Sequence, residues 1–63
     1  MKQHYSYKQK DYYIQEKIEM KNSTTREWEK AYVYVQIESG KKFCREVKEF
    51  ERLFKFEGYI KNE

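Results

Sequence analysis

The sequence predicts an α+β or mainly β domain, a small antiparallel sheet of three to five strands with a C-terminal helix around residues 46–56. Three observations lead there. Residues Ala31-Tyr32-Val33-Tyr34-Val35-Gln36-Ile37 alternate aromatic and β-branched side chains, the strongest strand pattern in the chain. Ser39-Gly40-Lys41 follows as a hairpin turn, with a glycine free to take positive φ. From Glu46 the apolar spacing lengthens, so that Val47, Phe50, Leu53 and Phe54 fall on one helical stripe.

Each remaining element follows from its neighbours. Residues 1–10 are polar and basic with Tyr5 and Tyr7 interleaved, which reads as a flexible arm or a short first strand. In residues 12–21, Tyr12, Ile14, Ile18 and Met20 alternate as in a strand. Ile14 and Ile18 are also spaced for a helix, with Asp11 available as its N-cap. The strand is preferred, because the strong strand that follows needs a partner. Asn22-Ser23-Thr24-Thr25 is a turn rich in side chains that bond their own backbone. The central strand is expected over Trp28–Glu38, and Lys42–Arg45 is its return strand. Glu46 and Glu49 favour a helix start through the dipole. Gly58 reads as the helix stop. Tyr59 and Ile60 then pack back on the sheet or form a last short strand.

Length and composition set the scale. The 63 residues make one domain, 1–63. Such a chain buries about 60% of its unfolded surface, so the core is thin. A charged content of 40% would by itself point to disorder. Seven tyrosines, four phenylalanines and one tryptophan oppose that, since each ring can bury about 150–250 Å². Cys44 is the only cysteine, which suits a reducing cytoplasm. No apolar run resembles a signal peptide or approaches the roughly 20 residues of a membrane span. A cytoplasmic protein without membrane contact is expected.

Chemistry is sparse. There is no glycine-rich phosphate loop and no cysteine or histidine cluster for zinc. Cys44 has only His4 as a prospective base, and His4 lies in the N-terminal segment. The acids, such as Glu27, Glu29 and Glu38, have basic neighbours in sequence. The expectation is a chain that is not an enzyme, with no cofactor, no metal and no small-molecule substrate.

Binding residues are easier to nominate. If Val33, Val35 and Ile37 face the core, then Lys30, Tyr32, Tyr34 and Gln36 lie on the other face. Tyrosines beside lysines on a strand are a way to stack single-stranded nucleic acid. The commoner outcome is that the helix or the arm covers this face. Lys41, Lys42 and Arg45 add positive charge, with Lys2, Lys8 and Lys10 in reach, although the net charge is only +3 and hairpin lysines ordinarily serve solubility. The candidate face is therefore Lys30, Tyr32, Tyr34, Lys41, Lys42 and Arg45. Trp28 opens the strong strand, as an interface residue or, more often in such a position, a core anchor.

The pattern Tyr12-Tyr13-Ile14, Tyr32-Val33-Tyr34, Gly40 with Phe43-Cys44-Arg45, and Phe50 with Phe54 resembles short bacterial and phage domains with an SH3-like β-barrel. The likeness covers most of residues 12–54. It implies a small barrel and brings no active site. One position departs from it: a proline is expected after the arginine, and Glu46 stands there, which favours a true helix. The expected function is a small non-catalytic binding module from a phage or mobile element. Its partner is another protein, or a second copy in a homodimer. The alternative is a nucleic-acid-binding module using the tyrosine and lysine strand face.

Overall fold

A computed structural model describes residues 1–61. Its elements are β1 (Lys2–Tyr7), β2 (Lys10–Lys21), β3 (Trp28–Gln36), β4 (Lys42–Glu46), α1 (Val47–Leu53) and β5 (Lys55–Ile60). All strands pair antiparallel in one sheet, in the order β4-β3-β2-β1-β5. The fold is thus a five-stranded antiparallel sheet with one short helix, as the sequence predicted. The barrel is not closed. β4 and β5 occupy opposite edges, and no ladder joins them among the described residues.

The first four strands form a meander set by their turns. The N-terminal segment is strand β1, not an arm. It turns into β2 through Lys8 and Gln9, both at positive φ (50° and 65°). Two left-handed central residues give the twist that a tight hairpin requires. Residues 10–21 are one long strand, interrupted by a register shift between Ile14 and Glu16. In the next turn, the Asn22 side-chain oxygen accepts the N–H groups of Thr24 and Thr25 at 2.8 and 3.2 Å. Gly40 closes the third turn at φ 74°, its N–H donating to the Gln36 carbonyl at 2.7 Å.

α1 is shorter than the run 46–56, because Phe54 is already extended and residues 55–60 join the sheet as β5. Gly58 therefore does not stop the helix. It lies inside β5 at φ 124°, beside the register shift between His4 and Tyr5 of the neighbouring strand. Glycine enters this region without steric penalty.

The largest correction concerns which face is packed. Residues paired across strands share a face. Tyr5 and Tyr7, Tyr12 and Ile14, and Tyr32 and Tyr34 share the face on which Phe50, Leu53 and Phe54 of α1 and its C-cap sit. Phe50 is fully buried, with ring centroids 4.8 Å from Tyr5, 5.0 Å from Tyr34 and 4.1 Å from Phe54. The valines point the other way. Among the described residues their face has no covering layer; it holds His4, Tyr13, Ile18, Met20, Ala31, Val33, Val35 and Cys44. Some of it is nonetheless buried by in-plane neighbours. Val35 lies between Tyr13 and Lys42. Met20 and Cys44 approach to 4.0 Å across the strand that carries the fully buried Ala31. Ile37 falls beyond the end of β3 and is exposed.

Candidate functional site

The six candidate residues do not form one surface. Tyr34 is 3% exposed, with Phe50 and Phe54 over its ring. Tyr32 is half-buried, 5.2 Å from Phe50. Arg45 lies on the same face, donating from Nε to the Tyr34 hydroxyl at 3.3 Å with its guanidinium 6.0 Å from the Phe54 ring centre. That bond is the main reason its pKa rises. Arg45 thus rivets the core edge. Lys41 and Lys42 are exposed at the β3–β4 hairpin. The Ile37 N–H bonds the Asp11 carbonyl there, so Lys8 and Lys10 come to the same end of the sheet. Lys2 lies at the other end of β1, its ammonium 4.1 Å from the Tyr13 ring. Lys30, also exposed, belongs to a different place altogether.

That place is a groove of about 360 Å³ lined by Glu27, Trp28, Glu29, Lys30, Glu46, Val47 and Lys48. It exists because β3 is longer than β4. The Gly40 turn fixes Val35 opposite Lys42, and counting back puts Ala31 opposite Glu46. At Glu46 the chain leaves the sheet for α1. Among the described residues, Trp28, Glu29 and Lys30 then pair with β2 alone. The groove is the step between this overhang and the first turn of the helix.

Backbone direction along β3 follows from its ends. Gln36 donates toward β4, to the Lys41 carbonyl, whereas Ile37 and Glu27 bond to the β2 side. Main-chain groups alternate along a strand, so those of Trp28 point away from β2, toward the side β4 has vacated. The Trp28 side chain is 66% exposed. It is therefore not the core anchor that its position suggested.

Side chains alternate as well. Trp28 and Lys30 share the helix-side face of β3 with Tyr32 and Tyr34, while Glu29 shares the open face with Ala31 and its partner Glu46. The Glu46 carboxyl is held above its usual value first by a hydrogen bond with Glu29, then by lost hydration and by the Glu29 charge. Lys48 pulls it the other way. Asn22 Nδ2 reaches both Glu29 oxygens at 3.4 Å. On the far side of the helix start, Arg52 lowers the Glu49 pKa through a direct hydrogen bond.

Sequence reasoning found Trp28 and Lys30 but not Glu29, Glu46, Val47 or Lys48 as their neighbours. The signal was present: a glycine turn that sets the register and a helix that begins before the longer strand is used up. Among the described residues, no group of three histidines, cysteines or acids is placed to hold a metal, and no helix is long and apolar enough to cross a membrane. No family model, curated protein or solved structure matches the chain.

Proposed function

We propose that the chain is a small non-catalytic binding module that docks on another protein through the Trp28 groove. The observation that carries this reading is a mostly exposed tryptophan beside a strand segment that is paired on one side only. Tryptophan is enriched among residues that dominate protein interfaces, and an unpaired strand edge is a ready site for a partner. The partner is a different protein or a second copy of the chain. A reducing cytoplasm fits the free, exposed Cys44. The SH3-like resemblance belongs to the same proposal, with the sheet left open.

The test is a photo-crosslinking residue placed at position 28 and, as control, at the exposed position 51. A discrete protein adduct from position 28 alone supports docking at the groove. Adducts from both positions, or from neither, remove it.

The nucleic-acid alternative has one observation in its favour. The two hairpin ends bring Lys8, Lys10, Lys41 and Lys42 to one end of the sheet. Tyr34 offers no ring to a base, so such binding would rest on phosphate contacts. It would fall steeply with salt, and an oligonucleotide titration at two salt concentrations detects it.

A further inference from the structure

The groove has a chemistry more specific than an exposed tryptophan, and it follows from the alternation described above. Three features coincide. The main-chain N–H and C=O of Trp28 face the space that β4 leaves free. Glu29 and Glu46 both line the open-face side of that space, Glu46 opposite Ala31 and Glu29 two residues before it on the same face, with Glu27 beyond them and Lys48 on the helix side. On the other side are the Trp28 ring and Lys30. An occupant must therefore satisfy backbone groups along a line. It must also offer a cation to one side and an uncharged group to the other.

We propose that the groove takes an extended peptide segment of the partner, added as a short strand on the outer edge of β3, with a lysine or arginine set between Glu29 and Glu46 and apolar neighbours against Trp28. This rests on the docking function proposed above and specifies its partner. A strand presents successive side chains to opposite faces, so a basic residue flanked by apolar ones matches the two walls. Main-chain bonds to Trp28 give the attachment. A cation between two adjacent carboxylates relieves their repulsion and donates charge-assisted hydrogen bonds to them. Lys30 disfavours a second cation on the tryptophan side, which sets the order of the residues.

Trp28 is the only tryptophan, so its emission reports on the groove directly. The probe is an end-blocked pentapeptide alternating valine and lysine, at low salt. Two controls are the same peptide with glutamate for lysine, and the lysine peptide N-methylated along the backbone. The lysine peptide is expected to shift Trp28 emission saturably. Both controls should bind about tenfold or more weakly, the loss of a strong charged contact or of the strand bonds. The double variant Glu29→Gln, Glu46→Gln should keep the far-ultraviolet dichroism of the parent and lose a similar factor for the lysine peptide only. Equal binding of the lysine and glutamate peptides overturns the proposal, as does full binding of the N-methylated peptide. A response to an amphipathic helical peptide alone overturns it too. If no peptide responds while the position 28 crosslink persists, the extended basic segment is wrong and docking at the groove stands. If the crosslink also fails, both fall.

Discussion

The two faces of this sheet use different means of excluding water. One is aromatic and has a lid. Tyr5, Tyr12 and Tyr34 lie beneath Phe50 and Phe54, with rings meeting edge-on, tilted or stacked at centroid distances of 4.1–5.6 Å. The other is aliphatic and has none. Ala31 and Val35 are as buried as the tyrosines, yet they are shielded by side chains lying along the sheet. A domain this small has one helix of seven residues to spend as cover. It covers the face whose larger rings gain more by burial.

The contrast can be broken most directly at its centre. Phe50→Ala removes a fully buried ring and should cost about 3–5 kcal/mol. A domain of this length is stable by about 3–9 kcal/mol in all, so the loss is a large share of the total and should show as a steep fall in the urea midpoint followed by dichroism. Val33→Ala, on the half-buried uncovered side, should cost under about 1 kcal/mol in the same titration. Similar losses at the two positions would mean that the open face is covered in solution.

Two changes sharpen the comparison within about 1 kcal/mol. Tyr34→Phe keeps the ring and removes the hydroxyl that accepts from Arg45, so about 1 kcal/mol of stability should go, seen as a lower urea midpoint at unchanged slope. Lys8→Asn with Gln9→Gly should raise stability by about 1 kcal/mol, since residues suited to positive φ replace two that are not.

The smallest effect is one of pH. The raised Glu46 pKa favours the folded, protonated form. Its stabilisation is full below the unfolded carboxylate value and is lost as pH rises through the raised folded value. Glu49, lowered by Arg52, acts in the opposite sense: its contribution is present above the unfolded value and is lost as pH falls through the lowered one. Glu46→Gln should therefore flatten the decline in urea midpoint on the acid-to-neutral side and leave the loss at strong acidity.

Much of the architecture was legible in the residues. The alternation of 31–37, the Gly40 turn and the stripe through Phe50 and Phe54 place β3, β4 and α1 to within a few positions. The choice of packed face was not, because tyrosines and valines both make acceptable cores and alternation distinguishes faces without ranking them. The deciding fact lies in other strands: Tyr5, Tyr7 and Tyr12 fall on the same face of the sheet as Tyr32 and Tyr34, and only the pairing reveals it. The first hairpin was obscured because Lys8 and Gln9 lack the glycine or asparagine that marks such a turn. Gly58 looked like a helix stop because it follows the apolar stripe, whereas its conformation serves an irregular strand. As for the site, Lys30 and Trp28 are conspicuous in the sequence for other reasons, whereas Glu29 reads there as an acid among basic neighbours and Glu46 as the start of the helix, so nothing in the sequence brings the two together.

The ladder between β1 and β5, with Lys2 opposite Ile60, joins segments from nearly opposite ends of the described chain. Every other strand pairing is a hairpin between neighbours. Local hairpins close quickly, whereas a contact spanning the chain waits for the intervening elements, so this ladder should form last. Until it does, Tyr5 has one flank bare and the tyrosine sheet has an unfinished border. During synthesis that border stays open until β5 has emerged, and it is then that the nascent chain is most exposed to pairing with a stranger.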